Sequence, residues 1–298
     1  MNMDMKKVLV IVGPTAVGKT AFGIRCALSF NGEVISGDSI QIYRGLDIGS
    51  AKPDEEERSA AVHHLIDIKD PDASYSVKEF QNLCRGKIDD IYSRGKLPIL
   101  VGGTGLYIKA VLYDYTFFEE EKEDDLFEDL SNEEIYERLK QLDPKALEKI
   151  HVNNRRRLVR ALNISLKHEQ GISSIKDAQS HQPLYDCLII GLTTDRQILF
   201  ERINARVDQM MENGLLEEIE GLLKDGVNFS DQSMQGIGYK EWKAYFEGEM
   251  TKDECIEQIK IHSRHFAKRQ YTFFNNQMEV HWHKNTEEAL EEVKEWLT

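Results

Sequence analysis

The feature that most constrains this chain is a glycine-rich loop at residues 13–20. An apolar, β-branched run from Val8 to Val12 ends at Gly13, and the pattern Gly-x-x-x-x-Gly-Lys-Thr then continues to Thr20. A strand before the loop and helix-forming residues after it are the context in which this pattern binds phosphate. The sequence therefore predicts a phosphate-binding loop (P-loop) at the start of a parallel α/β sheet.

Each position of this loop has a chemical reason. The glycines allow backbone N–H groups to face one anion, which also meets the positive end of the following helix. Lys19 supplies a mobile cation, and the Thr20 hydroxyl is placed to bind a Mg²⁺ ion that bridges phosphate oxygens, so we predict Mg²⁺ as cofactor and Thr20 as its ligand. The predicted phosphate-binding residues are Gly13, Pro14, Thr15, Ala16, Val17, Gly18, Lys19 and Thr20.

The rest of the chain predicts one α/β domain interrupted by helices. Strands and helices alternate through residue 113 as in βαβ units, and a strand near 186–192 resumes this pattern. Between about 114 and 183 no strand is predicted. The predicted fold is therefore α/β, a P-loop-containing parallel sheet flanked by helices, with a small all-α insertion domain. We place the catalytic core at 1–113 and 181–298, and the helical insertion at 114–180.

Several further local elements are each predicted from a single pattern. Residues 62–68 alternate like a strand, and Ser131-x-x-Glu134 has the spacing of a helix capping box. A helix over 155–169 and another over about 196–224, capped by Asp195 and interrupted near Gly214, complete these predictions. The pair His63-His64 has no carboxylate or thiol at metal-ligand spacing, so we interpret it as a satisfied structural pair.

Composition excludes several classes of protein. The chain has 298 residues, enough for one large domain plus an insertion. No apolar run approaches the ~18 residues of a membrane span, and the N-terminus enters a strand without a signal-peptide pattern. The four cysteines are scattered, without a Cys-x-x-Cys pair. We expect a cytoplasmic protein with reduced thiols and no membrane partner.

Charge is strongly segregated along the chain. The net charge of −14 argues against non-specific nucleic-acid binding, yet residues 155–160 contain four arginines while residues 119–129 contain eight acids. In residues 264–274 cations alternate with aromatic side chains, which suits a phosphate backbone with stacked bases or an amphipathic helix with a buried aromatic face. A local nucleic-acid interface therefore stays open.

Two polar residues each follow a predicted strand, at the sheet edge where ligands bind. Asp38 could act as a general base or as a Mg²⁺-associated carboxylate, or it could only complete a turn. Thr104 lies in Gly-Gly-Thr-Gly at a helix N-terminus, where its hydroxyl faces the cleft or merely belongs to a tight turn. Arg206, taken alone, is an ordinary helix arginine. The residues themselves leave these alternatives open.

Seven motifs, taken together and in their order along the chain, resemble those of a known family, and this resemblance favours one of the alternatives for each residue. They are Gly-Pro-Thr-Ala-Val-Gly-Lys-Thr, Asp-Ser-Ile-Gln-Ile-Tyr, Asp-Ile-Gly-Ser-Ala-Lys-Pro, Gly-Gly-Thr-Gly-Leu-Tyr, Asn-Asn-Arg-Arg-Arg-Leu-Val-Arg-Ala-Leu, Gly-Ile-Gly-Tyr-Lys and Ala-Lys-Arg-Gln-Tyr-Thr. Together, from about residue 8 to 275, they resemble the bacterial tRNA dimethylallyltransferase family, also called tRNA isopentenyltransferases. Three departures stand out: the acidic start of the insertion, Asn275 where the family often has Arg, and Ser50 where Thr is common.

The resemblance implies transfer of a dimethylallyl group from dimethylallyl diphosphate to the exocyclic amine of the adenine 3′ of the tRNA anticodon. It implies Asp38, Thr104 and Arg206 as catalytic residues, with Asp38 as the base. It implies tRNA (its anticodon stem-loop) and dimethylallyl diphosphate as partners. Since nothing in the sequence suggests an obligate dimer, we expect a monomer. The implied tRNA-contacting residues are Asp38, Ser39, Ile40, Gln41, Thr104, Arg156, Arg157, Arg160, Gln235, Gly236, Gly238, Tyr239, Lys240, Lys268, Arg269 and Gln270.

Three other functions compete with this one. An adenylate isopentenyltransferase would prenylate free AMP, ADP or ATP, and would not need two basic segments and an insertion. A P-loop small-molecule kinase would transfer the γ-phosphate of ATP, but the sequence lacks a clear arginine-rich lid. A non-catalytic RNA-binding protein would not need intact Lys19, Thr20, Asp38 and Thr104.

Overall fold

The computed structural model describes residues 5–115, 117, 127–167, 171–173 and 182–298. Two compact units divide the chain: Met1–Tyr113 with Pro183–Thr298, and Asp114–Gln182. The predicted return to the core at 181 lies outside the described residues. No helix in the described ranges is both long and apolar enough to cross a membrane.

The first unit is built on a six-stranded sheet in the order β3-β2-β4-β1-β5-β6. All five strand pairs are parallel, which confirms the predicted α/β class. The strands are β1 (Lys7–Val12), β2 (Gly32–Ser36), β3 (His63–His64), β4 (Leu97–Val101), β5 (Asp186–Leu192) and β6 (His281–His283).

Helices connect these strands and form the second unit. In the first unit they are α1 (Lys19–Ser29), α2 (Glu55–Ala60), α3 (Val77–Ser93), α4 (Gly105–Leu112), α7 (Arg196–Glu212), α8 (Leu215–Lys224), α9 (Trp242–Phe246), α10 (Lys252–Gln277) and α11 (Thr286–Leu297). The second unit contains α5 (Asn132–Leu142) and α6 (Arg155–Lys167). Short 3-10 turns occupy Pro144–Glu148 and Ser233–Gln235.

Both faces of the sheet are covered, which explains the unbroken apolar run of β1. Val8, Val10 and Val12 belong to one hydrophobic cluster, whereas Leu9 and Ile11 belong to another. Successive side chains of a strand point to opposite faces, so a strand buried on both sides must be apolar throughout. Each fully buried residue of this kind contributes roughly 1.5–3 kcal/mol to stability.

The structure differs from the sequence prediction at the edges of the sheet. Only His63–His64 of the predicted strand 62–68 pairs with β2, because Leu65 and Asp67 adopt φ values of 61° and 56°, in the left-handed region that ends a strand. Helix α2 was not predicted. It begins at Asp54, which forms a complete capping box with Glu57.

The long helix predicted over 196–224 is two helices. Gly214 separates α7 from α8 with a φ of 93°, as its expected interruption indicated. The Asp195 side chain does not cap α7, which corrects that prediction. Its carboxylate instead forms an exposed ion pair with Lys284 at 2.8 Å.

The second unit has a small core of its own. Ile135 and Leu139 of α5 pack with Leu158 and Leu162 of α6, all fully buried. Ser131 forms the predicted capping box with Glu134. The described part of this unit contains no strand, and the predicted end of its second helix at 169 lies outside the described residues.

Candidate active site

The loop at residues 13–20 has the backbone geometry of an anion site. Gly13, Ala16 and Gly18 have φ values of 143°, 64° and 99°, and α1 begins directly after them at Lys19. A Cβ atom at Gly13 would lie 2.6 Å from the carbonyl oxygen of Leu192, so this position requires glycine. The alternation of backbone conformations turns successive N–H groups toward one concavity, beside the positive end of a helix.

Two cations stand beside this loop. Burial lowers the pKa of Lys19 to about 7, with the nearby charge of Arg206 acting in the same direction and that of Asp38 opposing it. Burial likewise lowers the pKa of Arg206, against the influence of Asp38 and Glu57. Among the described residues Lys19 Nζ donates to the Pro14 carbonyl alone, at 2.8 Å, and Arg206 Nη1 lies 3.5 Å from Thr15 Oγ1. Buried positive charge with so little compensation favours an anionic ligand.

Asp38 lies two residues beyond the end of β2. Its Oδ1 accepts hydrogen bonds from the backbone N–H groups of Ile40 at 2.8 Å and Gln41 at 3.3 Å. These bonds complete a turn, which is one of the alternatives predicted for Asp38. In the part of the chain that the structure describes, the second carboxylate oxygen has no hydrogen-bond partner, so the residue can complete the turn and still accept a proton from a ligand.

The Gly-Gly-Thr-Gly segment is required by close packing as well as by its turn. A Cβ atom would lie 2.6 Å from the Gly37 oxygen at Gly102, and 2.0 Å from the Gln270 amide nitrogen at Gly103. Thr104 is the residue before α4 and makes no side-chain capping bond. Because its hydroxyl does not cap the helix, it stays available to a ligand. Thr104 is half-buried and follows the cleft-lining Gly103.

One cleft of about 380 Å³ collects the phosphate loop, both cations and Asp38, while Thr104 is not among its lining residues. It is lined by Thr15, Gly18, Lys19, Thr20, Asp38 and Arg206, among others. Its side-chain oxygens that could bind a cation include the Thr20 hydroxyl and the carboxylates of Asp38 and Glu57, and no cluster of three or more His, Cys, Asp or Glu side chains in the described ranges could hold a metal ion. Mg²⁺ commonly binds through one protein carboxylate, waters and substrate phosphates, so these residues fit an ion carried in by a phosphorylated ligand.

Gln270 serves the cleft differently from the prediction. It was expected to contact RNA, but only 4 % of its surface is exposed. Its Oε1 accepts from the Thr15 N–H at 2.9 Å, and its Nε2 donates to the Gly103 carbonyl at 3.1 Å. The amide therefore ties the P-loop to the Gly-Gly-Thr-Gly turn, a tertiary role that local sequence does not reveal.

Tyr239 requires a similar correction. Tyr239 was predicted to contact RNA, but its side chain is fully buried. Its hydroxyl donates to Glu218 at 2.7 Å and accepts from the Ser50 N–H at 3.1 Å. Burial, reinforced by Glu218, raises the pKa of the phenol well above its usual value. Tyr239 therefore holds the loop that contains Ser50 from the protein interior.

The other predicted RNA contacts divide into accessible and partly covered positions. Gln235, Lys240, Lys268 and Arg269 are exposed, and Arg156, Arg157 and Arg160 are exposed on α6 of the second unit. Ser39, Ile40, Gln41 and Gly236 are half-buried, and Gly238 is buried with its N–H bonded to Glu241 at 2.8 Å. The Arg269 guanidinium lies 5.6 Å from the centre of the Phe266 ring, and Phe266 lines the cleft.

Sequence reasoning missed two cleft residues, Glu57 and His63. His64 is a satisfied residue as predicted, since its Nε2 lies 2.7 Å from Glu33. His63 Nδ1 lies 2.8 Å from the Ala61 carbonyl oxygen, whereas its buried Nε2 has no partner among the described residues, so the interpretation of the pair holds for only one ring nitrogen of His63. The capping-box spacing of Asp54 and Glu57 was the available signal for α2.

Together the fold and the cleft are those of a P-loop enzyme for a phosphorylated substrate, with a carboxylate beside the loop. The family model described as IPP transferase matches residues 41–277. The chain therefore belongs to the IPP transferase family, as the resemblance predicted, and is a prenyl-transferring enzyme.

Individual relatives agree with this assignment. A tRNA dimethylallyltransferase of Bacillus pumilus is 49 % identical, covering 95 % of this chain and 91 % of the relative. A tRNA δ(2)-isopentenylpyrophosphate transferase structure from Staphylococcus epidermidis is 44 % identical with a TM-score of 0.74, covering 98 % and 99 % of the two chains. The structure of a eukaryotic dimethylallyltransferase acting on tRNA is 31 % identical with a TM-score of 0.79, covering 93 % of this chain and 74 % of the other.

Proposed function

We propose that this chain transfers a dimethylallyl group from dimethylallyl diphosphate to the exocyclic amine of the adenine 3′ of the anticodon in tRNA, and releases diphosphate. The observation that carries the proposal is the composition of the cleft. It contains a phosphate loop with two poorly compensated cations, Lys19 and Arg206, together with a carboxylate at Asp38. The names of the relatives support tRNA as the acceptor.

On the donor side, the residues stabilise the departing diphosphate. As the C–O bond to the dimethylallyl group breaks, its electron pair goes to the diphosphate and the negative charge there grows. Lys19, Arg206 and the N–H groups of the loop lie where they stabilise that charge. The Thr20 hydroxyl would hold a Mg²⁺ ion, which would supply further Lewis-acid stabilisation of the leaving group.

On the acceptor side, the residues manage a proton. The adenine amine is a weak nucleophile because its lone pair is delocalised into the ring. Asp38 takes a proton from that amine as the C–N bond forms, through the carboxylate oxygen that the turn does not use. Thr104 donates or accepts a hydrogen bond near the reacting amine. The base must leave the anticodon-loop stack to reach the cleft.

RNA binding is assigned to the exposed basic side chains and to the loops beside Asp38. Lys240, Lys268 and Arg269 are exposed in the first unit, and we assign them contacts to phosphates of the anticodon stem-loop. Arg156, Arg157 and Arg160, exposed on α6, give the helical insertion the same role. We further propose that the enzyme acts as a cytoplasmic monomer.

The test supplies radiolabelled dimethylallyl diphosphate with either an unmodified tRNA transcript or AMP. Label is expected in the tRNA, at the adenine 3′ of the anticodon, and absent from AMP. Label on AMP alone would instead identify an adenylate isopentenyltransferase. A parallel reaction with γ-labelled ATP is expected to give no transfer, and labelled product there would identify a kinase.

A further inference from the structure

Four consecutive backbone N–H groups, those of residues 47–50, converge on two side chains from a distant part of the chain. Oε2 of Glu218 accepts from the N–H groups of Asp47 at 2.9 Å and Ile48 at 2.7 Å, and Oε1 accepts from Gly49 at 3.3 Å. The fourth, Ser50 N–H, donates to the Tyr239 hydroxyl at 3.1 Å. Converging N–H groups of this kind form an anion-binding nest, and here the anion is the protein's own carboxylate.

The two side chains act as one device. The Tyr239 hydroxyl donates to Glu218 Oε1 at 2.7 Å while it accepts from Ser50. The phenol ring fills the space that a side chain at Gly49 would need, since a Cβ atom there would lie 2.5 Å from the ring carbon Cζ. Loop 47–50 has no regular secondary structure to satisfy its N–H groups, so its conformation depends on this pair.

From this loop a chain of hydrogen bonds reaches the catalytic carboxylate. The carbonyl oxygens of Ser50 and Ala51 accept from Gln41 Nε2 at 3.3 Å and 3.1 Å. The Gln41 backbone N–H donates to Asp38 Oδ1 at 3.3 Å. Ser36 Oγ also donates to Gln41 Oε1 at 2.8 Å, which fixes the orientation of the amide.

Tyr239 extends the arrangement to a third loop. A Cβ atom at Gly236 would lie 3.0 Å from Ile40, and one at Gly238 would lie 3.3 Å from the Gly49 carbonyl oxygen. Segments 38–41, 47–51 and 235–240 therefore pack directly on one another. We call these three segments the acceptor loops.

We propose that Glu218 and Tyr239 are positioning residues that lock the acceptor loops into the one arrangement that presents the acceptor base to Asp38. The inference rests on the proposed function. Tyr239 is fully buried and Glu218 is half-buried beneath the loops, so both act through the backbone they hold. The donor side does not depend on them, because the P-loop is held by its own glycines and by Gln270.

The first test separates acceptor from donor kinetics. Glu218→Gln turns an amide N–H₂ toward N–H groups that need an acceptor, and Tyr239→Phe removes the hydroxyl. Each is expected to raise KM for tRNA at least tenfold, with KM for dimethylallyl diphosphate within twofold of wild type. Glu220→Gln, an exposed carboxylate on the same helix, is the matched control and is expected to match wild type.

The double variant sharpens this test. If the two side chains form one device, Glu218→Gln with Tyr239→Phe loses little more than either single variant, because the interaction energy is shared. A tRNA KM that stays at the wild-type value in both single variants overturns the inference, and so does an equal rise in the KM of both substrates.

Hydrogen exchange of the free protein gives a readout that needs no activity. In Glu218→Gln the amides of 47–50 are expected to exchange at least tenfold faster, together with those of 236–240, while those of 13–20 keep their protection. Unchanged exchange at 47–50 contradicts the inference. Faster exchange there, in a protein whose wild type does not prenylate tRNA, supports the loop assignment and rejects the proposed function.

Discussion

The two sides of the cleft are built in opposite ways. The proposed donor side is a contiguous loop of eight residues, in which we expect the backbone N–H groups to bind the ligand, with positive φ values at Gly13, Ala16 and Gly18. The acceptor side is assembled from three segments separated by up to about 200 residues, and side chains such as Glu218 and Tyr239 hold them together. A phosphate can be bound by N–H groups of one short segment, whereas a base needs surfaces from several.

The largest expected effect comes from Asp38, the proposed base on the acceptor side. Its charge also acts on Lys19 and Arg206 of the donor side. Asp38→Asn keeps an oxygen for the turn but removes the base, so kcat is expected to fall about 10²–10⁴-fold. KM for dimethylallyl diphosphate is expected to change little. Single-turnover measurements with saturating tRNA follow the chemical step directly.

Asp70→Asn serves as the control for that variant, because Asp70 is an exposed carboxylate that pairs with Arg44 at the surface. It is expected to keep full activity. An Asp38→Asn enzyme with wild-type kcat would remove Asp38 from the role of base.

Lys19 tests the donor side through pH. Burial lowers its pKa to about 7 in the free enzyme, and a bound anion raises it again, so binding above pH 7 requires uptake of a proton. The affinity for inorganic diphosphate is therefore expected to weaken as pH rises above about 7, by up to about tenfold per pH unit through this residue. Calorimetry in buffers of different ionisation enthalpy counts the protons taken up.

Lys19→Ala provides the baseline for that measurement, since diphosphate itself also titrates. The variant is expected to bind more weakly at pH 7 and to lose the part of the pH slope that belongs to Lys19. Equal slopes in both proteins would show that Lys19 stays charged in the free enzyme.

The smallest expected effect tests the connection between the P-loop and its neighbour. Gly103→Ala would place a Cβ atom 2.0 Å from Gln270, which displaces the amide that ties the two loops. We expect a loss of about 1–3 kcal/mol in the free energy of unfolding and a raised KM for dimethylallyl diphosphate. Urea unfolding and steady-state kinetics measure the two effects.

Gly86→Ala is the opposite case and serves as the control. Gly86 lies within α3, where a Cβ atom would meet nothing within 4 Å. Alanine there is expected to stabilise the protein by about 0.5–1 kcal/mol without changing either KM. Equal effects of the two substitutions would remove the special role of Gly103.

The same contrast decides what could be predicted from the sequence. The P-loop, the parallel sheet and the capping box at Ser131 follow from neighbouring residues, since their physics is local. Helix α2 was missed although its capping-box spacing was present, and the strand at 62–68 was overpredicted because left-handed residues at Leu65 and Asp67 leave no mark in an apolar alternation.

The site residues show the limit more clearly. Asp38 and the phosphate loop were located because they follow strands, a rule of position in parallel sheets. Tyr239 and Gln270 lie in motifs that looked like RNA contacts, but their burial depends on partners 21 and 255 residues away along the chain. No local pattern distinguishes a buried amide that braces two loops from an exposed one that reads a base.

The left-handed Gly214 has a consequence for how this enzyme can change in length. Together with Asn213 it forms the two-residue link between α7, which carries Arg206, and α8, which carries Glu218. One residue inserted into either helix would rotate everything beyond it by about 100°. The orientation of Arg206 relative to Glu218 is thus fixed by the number of residues between them. We expect insertions to be tolerated only outside residues 206–218.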